Sequence, residues 1–192
     1  METRDGVGTG SDRAYIGVAE TPAEYVVFRP KLYLDTSIPS YLTSKPSRDP
    51  HKAHRQRVTR EWWELYRWQF DVYYSDCVEK EARRGDPSAA NKRMKALAHF
   101  EELKISSPAK QLAARILERC HLPLNAELDT QHAAIAAMHS MQFLLTWNCR
   151  HLANKHIRPK LMYICRSEGY TAPLILTPDE AIRLRTHAIP DC

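Results

Sequence analysis

Long apolar runs, paired cysteines, internal repeats and evenly spread glycine are all missing from this 192-residue chain. No stretch approaches the roughly 18 consecutive apolar residues that a membrane-spanning helix needs, which excludes a helical membrane protein. The five cysteines, Cys77, Cys120, Cys149, Cys165 and Cys192, contain no C-x-x-C pair. An odd, unpatterned set argues against a disulfide framework and a zinc site, and it points to a reducing, cytoplasmic compartment. Four of the six glycines, Gly6, Gly8, Gly10 and Gly17, crowd into a polar N-terminal stretch. That stretch lacks the basic start and apolar centre of a signal peptide, so residues 1 to 29 are expected to be a flexible extension. Within it, Tyr25-Val26-Val27-Phe28 favours a short edge strand.

The remainder, residues 30 to 192, has the size of one domain with one core. Lys and Arg total 28 against 23 Asp and Glu, a net +5 that suits an anionic partner without proving one.

From Lys31 onward short apolar runs alternate with helical patterns. Leu32-Tyr33-Leu34 ends abruptly at Asp35-Thr36-Ser37, which reads as a buried strand entering a helix capped by Thr36 or Ser37. A strand over Phe70 to Ser75 precedes a helix over Val78 to Arg84, and a third strand is expected at Leu103 to Ile105 between two helical segments. A strongly helical stretch from Glu127 to Ser140 leads to a strand at Phe143 to Thr146. A last helix and Leu174-Ile175-Leu176 follow. This alternation implies an α/β fold, a mainly parallel sheet covered on both faces by helices.

Functional residues in such folds gather at the carboxyl ends of strands. Asp35 ends the first strand, Glu81 lies one turn into the helix after the second, Asp129 opens the helix before the fourth, and Asn148 follows that strand. Carboxylates converging in a partly buried cleft repel one another unless a cation neutralises them, and all-oxygen donors suit Mg²⁺ or Mn²⁺. Such an ion supports hydrolysis of a phosphate ester. Each residue also has a plainer explanation: Asp35 as a helix cap, Glu81 as a solvated helix charge, Asp129 as a partner of the helix dipole, and Asn148 as a turn former. Asp35 could also suggest a phosphatase with an aspartyl nucleophile, but Ser37 stands where such enzymes need a second aspartate.

Taken together, Leu32-Tyr33-Leu34-Asp35-Thr36-Ser37, Ser75-x-x-Val78-x-x-Glu81 with Gly85-Asp86-Pro87, Asp129-x-x-His132-x-Ala134 and Leu144-Leu145-Thr146-Trp147-Asn148-Cys149-Arg150-His151-Leu152-Ala153-Asn154 resemble the PIN-domain family. The similarity is strongest to the VapC-like toxins of bacterial toxin–antitoxin pairs and covers about residues 31 to 183. It implies a three-layer α/β/α domain, Mg²⁺- or Mn²⁺-dependent endoribonuclease activity on RNA, a small antitoxin partner, and a homodimer or hetero-complex. On this resemblance Asp35, Glu81 and Asp129 take the three principal acidic positions, and Asn148 replaces the usual fourth aspartate, which weakens a second ion site more than the first. Ser37 and Thr146 take supporting hydroxyl positions.

Arg150 and His151 are expected to touch substrate phosphate. For His132, a hydrogen-bonded structural role is favoured over that of a general base. The segment His51 to Trp68 reads as one amphipathic helix whose stripe of Val58, Trp62, Leu65 and Tyr66 packs inward and whose basic end faces a ligand. The family resemblance implies an antitoxin groove on the first pair of helices, of which this segment is one. The competing function is a PIN-like RNA-binding or regulatory module with weakened catalysis.

Overall fold

The computed structural model describes residues 29 to 186, and the expected strand at Tyr25 to Phe28 lies outside them. Five strands, β1 (Lys31–Leu34), β2 (Asp71–Ser75), β3 (Glu101–Leu103), β4 (Phe143–Leu145) and β5 (Leu174–Leu176), form one sheet in the order β3-β2-β1-β4-β5. Every neighbouring pair is parallel, with Leu32 opposite both Val72 and Phe143. Central β1 is apolar because helices cover both its faces: Leu32, Tyr33 and Leu34 are fully buried.

Parallel neighbours require crossovers, and among the described residues seven helices supply them: α1 (Ser37–Thr43), α2 (Pro50–Leu65), α3 (Asp76–Ala82), α4 (Pro87–Leu97), α5 (Ser107–Arg119), α6 (Glu127–Met138) and α7 (Ile157–Ser167), with α8 (Pro178–Thr186) following the last strand. α1 packs on α2 and α4, and α2 on α8; α5 packs on α6 and α7. The result is a three-layer α/β/α sandwich. From β1 the chain crosses outward through β2 to β3, and then returns past β1 to β4 and β5. The direction of winding therefore reverses between β1 and β4, the position at which doubly wound sheets open a crevice beyond their strand ends. No helix among the described residues is long and apolar enough to cross a membrane.

Two elements depart from the sequence expectation. β3 covers Glu101–Leu103, not Leu103 to Ile105. It is an edge strand whose first two residues are glutamates, so its apolar content does not mark its position. The Ile105 amide instead donates to Asp76 Oδ1 at 3.2 Å. The helix expected over His51 to Trp68 ends at Leu65, and Arg67–Gln69 forms a single 3₁₀ turn. Its stripe also shifts: Val58 and Trp62 are buried and Tyr66 packs on the core, but Leu65 is 65% exposed. Trp63 takes up the packing instead, edge-on to Phe100 with ring centroids 5.5 Å apart.

α6 has the opposite character, with Thr130, His132 and Ala133 to Ala137 all buried. A helix buried around most of its circumference needs small side chains to approach a sheet and two helices at once, and its alanines provide them.

The last helix is tied on by its sequence. Thr177 and Glu180 form a reciprocal capping box, in which the Glu180 amide donates to Thr177 Oγ1 at 3.3 Å and the Thr177 amide donates to Glu180 Oε2 at 2.8 Å. Arg158 of α7 donates to both carboxylate oxygens at 2.8 and 3.0 Å. Burial raises the Glu180 pKa, but Arg158 and the Thr177 amide outweigh it and hold the carboxyl below its ordinary value. A depressed folded pKa stabilises above the unfolded value and loses that contribution as pH falls through the folded one. Glu180→Gln is therefore expected to cost about 0.5–1 kcal/mol at neutral pH, a cost that fades as the solution is acidified until the carboxyl is protonated in the folded protein, as measured by urea unfolding at neutral and acidic pH.

Candidate metal centre

Asp35 sits where β1 ends, 5% exposed, with its amide donating to the Leu145 carbonyl of β4 at 3.1 Å. Its Oδ2 accepts the Ser37 hydroxyl at 2.7 Å and also the Thr146 hydroxyl. Ser37 Oγ in turn accepts the Trp147 amide at 2.9 Å, and Thr146 Oγ1 accepts the Asn148 amide at 2.9 Å. The two hydroxyls thus lock Asp35 to the end of β4 across the winding reversal. Asp35 does not cap α1 with its side chain. Thr36 occupies the cap position without a side-chain cap bond, because its hydroxyl donates to Glu81 Oε2 at 2.5 Å instead.

Glu81 enters from α3, whose start is fixed by Ser75, which accepts the Val78 amide at 3.4 Å. Burial raises the Glu81 pKa, but the hydrogen bond and charge of His132, with the Thr36 hydroxyl, outweigh it and hold the carboxyl below its usual range. His132 of α6 is 1% exposed, and its Nε2 lies 3.0 Å from Glu81 Oε2 and 3.8 Å from Asp35 Oδ1. Its other ring nitrogen, Nδ1, lies 2.8 Å from Tyr33 Oη, which is 2.6 Å from Ser75 Oγ. Burial alone would lower the His132 pKa. The Glu81 hydrogen bond and the charges of Asp35, Glu81 and Asp129 overcome that and raise it. Burial holds Tyr33 well above its ordinary value, so the phenol is neutral.

Asp129 projects from the first turn of α6 without capping it. Its Oδ2 lies 2.7 Å from His151 Nδ1. Burial pushes its pKa up, the His151 and Asn148 hydrogen bonds pull against that, and the charge of Asp35 adds to the rise. Asn148 Oδ1 accepts the His151 amide at 3.0 Å. The amide oxygen is therefore engaged in a turn while its NH₂ faces Asp129.

Asp35, Glu81 and His132 each bring a ligand atom to a common place, all within 4.8 Å of one another. Asp129 stands next to them, close enough for its charge to be felt at both Asp35 and His132. Two carboxylates and an imidazole are a donor set that fits a divalent cation. Neighbouring donors on a small six-coordinate ion stand roughly 3 Å apart; the 3.0 Å spacing matches this and the 3.8 Å spacing exceeds it by less than 1 Å.

Arg150 is exposed, and among the described residues its guanidinium makes no hydrogen bond or ion pair. His151 is 9% exposed, with its ring turned to Asp129. A concavity of about 300 Å³ lined by Arg67, Trp68, Asp71 and Glu101 lies at the amino ends of β2 and β3, the opposite end of the sheet from this cluster. Sequence reasoning expected His132 to be a hydrogen-bonded structural histidine, which its bonds to Tyr33 and Glu81 make it, but it did not place the ring among the carboxylates and it passed over Tyr33. The i,i+3 spacing of Asp129 and His132 puts both on one face of α6, but it does not say that Glu81 and Asp35 meet that face.

No protein-family model and no curated protein sequence matches this chain. Among solved structures, the fold is similar to VapC20 of Mycobacterium tuberculosis, described as a toxin that cleaves the sarcin-ricin loop, with 16% identity and a TM-score of 0.47 over 59% of this chain and 87% of that one. It is also similar to VapBC2 from Rickettsia felis, solved bound to a DNA fragment of its promoter, with 14% identity and a TM-score of 0.49 over 76% of this chain and 97% of that one.

Proposed function

We propose that this chain is a divalent-metal-dependent endoribonuclease that hydrolyses RNA phosphodiesters with Mg²⁺ or Mn²⁺, and is the toxin component of a PIN-domain, VapC-like toxin–antitoxin pair. The observation that carries the reading is the meeting of Asp35, Glu81 and the buried His132 ring, from three separate segments, at the winding reversal, with Asp129 close beside them. The motif resemblance supplies the substrate class and the partner.

Asp35, Glu81 and Asp129 would hold the ion. When bound, such a cation supplies positive charge against a phosphodiester under attack and acidifies water. Ser37 and Thr146 fix the Asp35 carboxylate by donating to its Oδ2, so its other oxygen is left to face the cluster. Exposed Arg150 is our choice for phosphate contact, through its fork of donors. His151 is assigned to holding Asp129 in place. An antitoxin segment is expected on the α1–α2 face, but Trp62 is fully buried and cannot read out that contact, leaving half-buried Tyr66 as the residue to change. Loss of the complex in Tyr66→Ala would support this groove, and unaltered binding would refute it.

The protein is expected to cleave structured RNA with Mg²⁺ or Mn²⁺, to stop in EDTA, and to recover when metal is restored. Equal cleavage in EDTA sinks the metal reading. A second reading, an RNA-binding module with weakened catalysis, draws on Asn148, whose oxygen is spent on the His151 amide. RNA binding with no metal-stimulated turnover would select it.

A further inference from the structure

We propose that His132 Nε2 is itself a ligand of the cation, joining Asp35 and Glu81 in place of the Asn148 amide, and that this nitrogen donor biases the site toward Mn²⁺ over Mg²⁺. The inference rests on the divalent-metal reading above and specifies its ligand set.

His132 is placed as a ligating histidine is. Its Nε2 points between two carboxylates, at 3.0 and 3.8 Å, while Nδ1 is braced at 2.8 Å by a phenol that is anchored to Ser75. Metal-bound imidazoles are oriented in this way, the free ring nitrogen donating to a fixed oxygen. With a cation on Nε2, the proton resides on Nδ1 and is donated to Tyr33 Oη, which donates to Ser75 Oγ; no buried polar atom of that chain loses its partner. The ring is also immobile, at 1% exposure in a helix buried on most sides. The amide oxygen that the sequence nominated in its place is occupied: Asn148 Oδ1 takes the His151 amide. Mg²⁺ favours an all-oxygen shell and sheds water reluctantly, whereas imidazole suits later divalent ions, with Mn²⁺ the first of the series.

The test uses Mn²⁺ itself with the full chain. Pulsed electron paramagnetic resonance of the Mn²⁺ complex is expected to show coupling to a directly bound nitrogen, retained in His151→Gln and lost in His132→Gln. Mn²⁺ affinity in His132→Gln should fall at least about 10-fold, with Mg²⁺ affinity changing less. Because His132 is buried, the wild-type spectrum and His151→Gln serve even if His132→Gln does not fold. Loss of the coupling in His151→Gln overturns the assignment. Mn²⁺ bound in an Asp35-dependent manner without nitrogen coupling overturns the inference and leaves the metal reading standing. Mn²⁺ binding that is absent, or unchanged in Asp35→Asn, overturns both.

Discussion

Asp35→Asn is expected to abolish RNA cleavage, lowering the rate by about 10²- to 10³-fold or more, while the protein stays folded. The side chain keeps its shape and one oxygen, so Ser37 and Thr146 retain an acceptor and the tie between β1 and β4 persists. What disappears is a formal charge at the junction of Glu81, His132 and Asp129. In the metal-free protein that charge adds to the repulsion felt by Asp129, so its removal should leave the thermal midpoint unchanged or slightly higher. The measurement is cleavage by both proteins in Mg²⁺ and Mn²⁺ beside their melting curves. Equal rates sink the catalytic assignment, and a large drop in melting temperature would make lost activity uninformative about the metal.

Trp62→Ala should be the most damaging single truncation, costing about 3–5 kcal/mol against the roughly 5–15 kcal/mol that hold a typical domain folded. The ring is completely buried between Trp63 and Phe70, with centroids 6.4 and 6.1 Å away. It joins α2 to the start of β2, so the cavity would open between a helix layer and the sheet. Trp62→Phe should cost far less, because the indole Nε1 is buried with no hydrogen-bond partner among the described residues and its removal relieves an unsatisfied donor. Urea unfolding of the two variants checks the pair; similar losses would show that the indole nitrogen is satisfied after all.

The alternation of apolar runs with helical periodicity predicted the layered parallel sheet, because strands covered on both faces are continuously apolar and central β1 is of that kind. β3 was less legible because its glutamates line an edge, where the sequence carries no burial signal. At the site, strand ends located Asp35 and Asn148, but local reading assigned Thr36 and Ser37 to capping. Their hydroxyls serve carboxylates instead, one of them 45 residues away in sequence, and no local rule foresees such a partner. His132 illustrates the same limit: its environment is assembled from β1, α3 and α6, and only the packed tertiary structure brings Tyr33, Glu81 and Asp35 around one ring.

The clasp between Asp35 and Thr146 spans 111 residues of chain, and this has a consequence for biosynthesis. A ribosome making the protein from its N-terminus releases β1, β2 and β3 well before β4, so the centre of the sheet waits with one edge uncovered. During that interval Asp35 and Glu81 are already present, but neither α6 nor Thr146 has arrived to close around them. A chain interrupted there holds two of the three carboxylates and an exposed strand edge, a species fit for aggregation or proteolysis. The complete site is thus a late product of synthesis, assembled only when the second half of the sheet docks onto the first.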